Sequence, residues 1–335
     1  VILPHTLHRL YGDTDVLAAQ YTSMKRWLAF LERRAGKSKL INRLRPNPYR
    51  EFIIDTGYHW GEWLEPGHVM AKDAVKNIFL PDAEVATAYY AYVARLFSEI
   101  AGVLGERDDA EHYAALSEKV KTAYRHTFTR DGIVESDRQC RYVRPVALDL
   151  LPESEKRENV ARLNQMVIDN AYRIGTGFLT TPFILPVLTD YGYVETAYRM
   201  VENRQRPGWL YEVDKGATTI WENWNGIDDE GVPRDSFNHY AFGAVTGWFF
   251  SHVAGITPLE PGFRKIRIHP MPGGTLTWVD CSYRSAAGLI KSGWRRQDGQ
   301  ITFSVEVPAE TQVILPDGSA RTVSPGQHTF TAAIG

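Results

Sequence analysis

The apolar pattern of this chain changes period once, near residue 258, and that change dictates two kinds of architecture in sequence. Upstream, apolar side chains recur at helical spacing. In the first segment, through residue 35, Val16, Tyr21, Met24, Trp27, Leu28 and Leu31 share a face, with Asp13 or Asp15 as cap and Gly36 as stop. The spacing returns over residues 71–103, from a cap at Asp108 or Asp109 to residue 127, and over 141–150, 154–172 and 193–203. Thr180-Thr181-Pro182 reads as the cap and first turn of a further helix. Residues 236–256 are apolar nearly all round and read as a buried helix. Roughly eight or nine helices with short connections, and no strand, predict a toroid of α-hairpins. Past Pro258, Pro261 and Gly262 the period falls to two: Ile301, Phe303 and Val305 alternate with Thr302, Ser304 and Glu306. Turn signals at Gly273-Gly274, Asp298-Gly299 and Asp317-Gly318 complete a small all-β domain of roughly six or seven strands, a sandwich. The predicted division is 1–257 and 258–335.

At 335 residues and 44% hydrophobic content the chain can bury a large core. A net charge of -2 without a basic tract leaves no footprint for nucleic acid. No apolar run is long enough to span a membrane and no signal peptide is visible, so no membrane partner is expected; a cytoplasmic setting is favoured, the compartment itself being left open. Cys140 and Cys281 form neither a disulfide framework nor a metal spacing, although one bridge between them stays open. His5, His8, His112, His126, His252 and His269 show no ligand spacing either, and no cofactor or metal is expected. The chain begins Val1-Ile2-Leu3, which reads as a processed product or a fragment of a longer polypeptide. Nine Trp and seventeen Tyr favour a ligand with flat apolar faces, such as a carbohydrate.

Two stretches concentrate chemistry. GATTIWENWNG (216–226) sets one carboxylate, Glu222, between Trp221 and Trp224 with Asn223 and Asn225 alongside. Indoles can stack on a pyranose, amides can read hydroxyls and the acid can move a proton. A buried glutamate in a Trp-rich core accounts for the same residues equally well. A cation such as His239 or Arg234, or an amide such as Asn223, would keep Glu222 ionised. DTGYHWGEWLEPG (55–67) reads as a loop carrying Asp55, Glu62, Glu65, His59, Trp60 and Trp63, with His68 just beyond. The run Asp228, Asp229, Glu230 reads as solvated loop charge.

Together with SFNHYAFGAVTGWFFSHVAGI (236–256), GTGFLTTPFILPVL (175–188), PLEPGFRKIRIHP (258–270) and the opening 28 residues, these stretches resemble the α-L-rhamnosidases of glycoside hydrolase family 78 along essentially the whole chain. The resemblance implies an (α/α)6 barrel followed by an antiparallel β-sandwich, and inverting hydrolysis of terminal α-L-rhamnosyl groups from a rhamnose-containing glycoside or oligosaccharide. It makes Glu222 the general base and His239 a sugar contact. Asp55 and Trp63 match residues lining the rhamnose pocket, with Trp60, Glu62 and Trp224 beside them. The family's general acid belongs to a short Asp/Arg/Glu/Gly/Trp-rich motif with no match in residues 1–54. Together with a helix count short of a complete barrel, this predicts a C-terminal part of such an enzyme, its missing N-terminal part supplying the acid. Another six-hairpin glycosidase or a lyase, for which Tyr58 and His59 are candidates, and a non-catalytic carbohydrate-binding protein are the alternatives.

Overall fold

The computed structural model describes residues 1–37, 47–67, 82–228 and 230–333. Pro46, His68, Asp229 and the start of the helix expected from residue 71 lie outside these. Two compact units emerge, one of residues 1 and 20–244, the other of residues 2–19 and 245–335. Helix α1 (Ile2–Tyr11) is parted from α2 (Asp15–Ala35) at Gly12, whose φ of 74° suits glycine. Asp13, one of the two expected caps, accepts the N–H groups of Asp15 (2.8 Å) and Val16 (3.3 Å).

The first unit pairs helices of unlike character. Helix α3 (Ala83–Leu104) buries Val85, Ala88, Tyr90, Ala91 and Phe97, whereas α4 (Arg107–Phe128) buries one stripe, chiefly Tyr113, Leu116, Val120 and Ala123. The alanines of α3 let α4 approach closely, and Ser117 Oγ donates to the Ala91 carbonyl at 2.9 Å. Full burial of a side chain like Phe97 contributes about 1.5–3 kcal/mol, and α3 carries several, which makes it an inner helix. The contrast repeats in α5 (Gln139–Ala147) against α6 (Glu153–Asp169), and in α7 (Thr181–Asp190) against α8 (Val194–Val201). A short helix, α9 (Trp209–Asp214), follows. The expected cap at Asp108 or Asp109 is replaced by Glu106 as the residue preceding α4, because the Asp109 carboxylate is taken by Tyr21 (2.5 Å) and Lys25 (2.6 Å).

Residues 236–256 are not the uniform buried helix expected. Only Ala241–Ala244 (a 3-10 turn), Val245–Trp248 (α10) and Phe249–Val253 (a π-helix) are helical, and Tyr240 is 87% exposed. The main chain of 236–239 instead pairs with 220–222, and Gly243 and Gly247 weaken what helix remains.

The second unit holds two four-stranded sheets forming the sandwich. One has the order β1 (Ile256–Pro258), β2 (Ile266–Ile268), β6 (Thr311–Ile314), β7 (Ala320–Val323). The other runs β3 (Trp278–Ser285), β4 (Gly288–Gln297), β5 (Gln300–Val307), β8 (Gly326–Ala333). Eight strands exceed the expected number because β1 forms within the Pro-containing segment that reads as a linker. Pairing is antiparallel except between β2 and β6, whose parallel pairing requires the crossover that β3, β4 and β5 provide. Cys140 and Cys281 are free thiols, which settles the bridge left open by the sequence.

Candidate active site

Residues 173–181, the turn entering α7, are a hub on which three site segments meet. Glu62 Oε1 accepts the N–H groups of Gly177 and Thr180, both at 3.0 Å, and the Thr180 hydroxyl at 2.7 Å. The expected cap residue Thr180 is thus itself held by a carboxylate from the 55–67 loop. The Phe178 N–H donates to the Trp63 carbonyl at 2.8 Å. Trp224 Nε1 donates to the Thr176 carbonyl at 3.0 Å. The Phe178 ring stacks on His239 with centroids 4.8 Å apart and meets Phe242 edge-on at 5.1 Å. Gly177 is required here, because a Cβ at that position would run into the Trp63 carbonyl oxygen.

Residues 219–239 form an irregular hairpin. His239 N–H donates to the Ile220 carbonyl (2.9 Å), Glu222 N–H to Ser236 (2.9 Å), Arg234 N–H to Gly226 (2.8 Å) and Asp228 N–H to Val232 (3.2 Å). These bonds set Glu222 and His239 on paired arms. The half-buried Glu222 carboxylate accepts one hydrogen bond among the described residues, from Ser236 N–H at 3.2 Å. His239 Nδ1 accepts the Ala241 N–H at 3.3 Å, so the neutral ring carries its proton on Nε2, the nitrogen left to meet a ligand. Asp228 is not a solvated charge: it is 8% exposed and binds Val232 N–H (2.7 Å) and the Arg234 guanidinium (2.8 Å). Arg234 is thereby committed to Asp228 rather than Glu222. Asn223 is spent on Asn225 N–H and Asp235, each at 2.9 Å.

The other sequence candidates divide. Trp60, 54% exposed, stands edge-on to Trp63 at 4.5 Å and to Tyr58 at 5.3 Å, an aromatic cluster open to solvent. Asp55 is buried at the start of the same loop. Trp224 is 1% exposed, stacked on Phe242 at 3.9 Å, and so packs the core instead of offering a face to a sugar. Glu62 is turned fully inward, with its Oε2 paired to Arg144. Burial pushes its carboxyl up, against Arg144 and the Thr180 hydroxyl, which hold it down. It fastens the loop to the hub, with its side chain closed off from solvent.

Two features escape sequence reasoning. Arg144, 1% exposed, bridges Glu62 and Glu84, and Arg141 joins Glu84 (2.9 Å) to Asp82 (2.8 Å). Glu212 of α9, 2% exposed, accepts the Trp221 N–H at 3.3 Å through Oε2, while its Oε1 is buried without a partner. Burial pushes its carboxyl up to about 7. Nothing in WLYEVD marks this residue as buried; tertiary packing decides it.

A cleft of about 1110 Å³ opens where Trp60, Glu62, Glu65, Asp82, Arg138 and Arg141 converge, and none of Asp55, Trp63, Glu222 or His239 lines it. Its charged groups are largely paired with one another, Arg138 with Glu65 and Arg141 with Asp82 and Glu84. Glu222 lies apart from this cleft, and its carboxylate carries only the Ser236 N–H bond among the described residues. Among the described residues no cluster of His, Cys, Asp or Glu has the arrangement to hold a metal, and no helix is long and apolar enough to cross a membrane.

The bacterial α-L-rhamnosidase six-hairpin glycosidase domain matches residues 1–253, and the bacterial α-L-rhamnosidase C-terminal domain matches residues 255–330. An α-L-rhamnosidase of Streptomyces avermitilis is 34% identical over 99% of the chain, which spans 30% of that protein. The crystal structure of the Streptomyces avermitilis enzyme complexed with L-rhamnose superposes with a TM-score of 0.84 at 32% identity, over 98% of this chain and 32% of that one. The α-L-rhamnosidase of Aspergillus terreus gives 0.87 at 26% identity, over 98% and 38%. The chain thus spans about a third of the length of these relatives. Matched over residues 1–253 by the six-hairpin domain and over 255–330 by the C-terminal domain that follows it, the chain belongs to the bacterial α-L-rhamnosidase family of six-hairpin glycosidases.

Proposed function

We propose that this chain carries the base half of a site that hydrolyses α-L-rhamnosidic bonds with inversion. The observation that supports it is the contrast among three glutamates. Glu62 and Glu212 are sealed inside, whereas Glu222 is half-buried, holds one protein hydrogen bond, and lies on the hairpin arm paired with that of His239. A general base must face the water it deprotonates. In the proposed reaction Glu222 removes a proton from a water that attacks the anomeric carbon, and the leaving oxygen takes a proton from a second carboxylic acid. Inversion sets those carboxyl groups about 6.5–9.5 Å apart. The acid is assigned to a segment upstream of this chain, since the family motif for it finds no match in residues 1–54. His239 Nε2–H is the donor to a sugar hydroxyl, Trp63 and Trp60 provide apolar faces, and Asp55 lines the rhamnose pocket. The substrate is a rhamnose-containing glycoside, consistent with the L-rhamnose bound by the Streptomyces avermitilis relative.

The test is made in an enzyme that includes this chain. Glu222→Gln should lower kcat on an aryl α-L-rhamnoside by about 10²–10⁴-fold. NMR of the first product formed should show β-L-rhamnose ahead of the α anomer. Near-normal turnover would remove Glu222 from the mechanism, and an α-first product would remove inversion.

A further inference from the structure

The strand register of the second unit sorts the outward side chains of the β3-β4-β5-β8 sheet into rows across the strands. One row is Trp278, Arg295, Thr302 and Thr331; the next is Asp280, Gly293, Ser304 and Thr329; the third is Ser282, Lys291, Glu306 and Gln327. The middle row is short and includes a residue with no side chain, so it is the floor of a trough between taller walls. Trp278, 54% exposed, stands at one wall with the Arg295 guanidinium 5.7 Å from its ring centroid. On the other wall Lys291 pairs with Glu306 at 2.9 Å, and Gln327 donates to the same carboxylate at 3.3 Å. The depression measures about 640 Å³. Four strands at about 4.8 Å give it a length of about 14 Å, and neighbouring rows lie about 7 Å apart.

We propose that this trough is a carbohydrate-binding surface, made of residues other than those of the Glu222 site, that takes a short uncharged saccharide chain with one ring stacked on Trp278. The outward face of a sandwich is ordinarily wet and polar, and that alone implies nothing. Here a large indole is left half in water at the lip of a concavity, where an apolar ring face would be covered by a sugar. Along the trough, the side chains of Asp280, Thr302, Ser304 and Thr329 make no hydrogen bond to protein among the described residues, which leaves acceptors and hydroxyls for a ligand. The charges of Arg295 and Lys291 are balanced by those of Asp280 and Glu306. The one charge on the floor is the Asp280 carboxylate, which repels a polyanion and accepts from sugar hydroxyls. A neutral chain of hydroxyl-bearing rings fits both features. The inference does not rest on the reading of Glu222.

The experiment is affinity electrophoresis of the whole chain in gels containing galactomannan, xyloglucan, arabinogalactan or dextran, with polygalacturonate as the anionic probe. At least one neutral polysaccharide should retard the chain. Trp278→Ala should weaken that binding about tenfold. Ser304→Arg, which fills the exposed floor, should abolish it, and Glu222→Gln should leave it unchanged. Circular dichroism melts should show both trough variants folded as the parent. Retardation by none of the neutral probes, by polygalacturonate alone, or undiminished in Trp278→Ala would overturn the proposal. Loss in Glu222→Gln with no loss in Trp278→Ala would assign the binding to the other site and overturn it too.

Discussion

The Phe178 ring lies 4.8 Å from that of His239, 25° from parallel, while its own N–H is bonded to the Trp63 carbonyl at 2.8 Å. One residue of the hub therefore sets the imidazole on one side and the aromatic loop on the other.

Phe178→Ala should misplace His239 without removing any of the groups proposed to meet the sugar. In an enzyme that includes this chain, kcat/KM on an aryl α-L-rhamnoside should fall about 10–100-fold, the scale expected for an ångström of misplacement. Phe178→Tyr, which keeps the stacked ring, should retain most activity. Equal losses in both variants would show that the stack with His239 is not what matters.

Glu212 should make stability depend on pH. Its folded carboxyl titrates near 7 against an ordinary 4.5, so between these values the folded state binds more protons than the unfolded one. Its contribution is fully present below pH 4.5 and is lost as pH rises through 7, at a cost of about 3 kcal/mol above that. Glu212→Gln should therefore be more stable than the parent at pH 8, with the advantage shrinking to nothing near pH 4.5. Urea unfolding across this range measures it, and a gap that did not change with pH would contradict the assignment.

Arg144→Met should destabilise the first unit by about 3–5 kcal/mol, because Glu62 and Glu84 would stay buried with too little positive charge. Adding Glu62→Gln and Glu84→Gln should recover a substantial part, since the penalty lies in the orphaned carboxylates. Thermal unfolding of the single and triple variants decides it; a triple variant less stable than the single would mean that the triad is net stabilising.

The two-part fold was legible because helical and alternating periods are local properties, seen in α3 or β5 without knowledge of partners. The site was legible only in part, and Glu62 shows why. It sits between Trp60 and Trp63 much as Glu222 sits between Trp221 and Trp224, so composition cannot tell the two apart. The difference is Arg144, 82 positions away, which draws one carboxylate inward. Asp228 misled in the opposite direction, since an acidic run looks solvated until Arg234 folds back across the hairpin to meet it. Glu212 gave no local signal at all, and the helix expected over residues 236–256 lost its start to main-chain pairing that sequence periodicity does not register.

The cross-arm bonds of the 219–239 hairpin also decide where the molecule can tolerate novelty. Glu222 and His239 are spaced by backbone pairing near the base of the arms, while Gly231, at φ 76°, turns the chain at the far end beyond the Asp228–Arg234 clasp. Residues inserted at that turn would lengthen the tip and leave the spacing of Glu222 and His239 untouched. Loop length there is free to diverge while that spacing stays constant, which makes the tip a natural graft point.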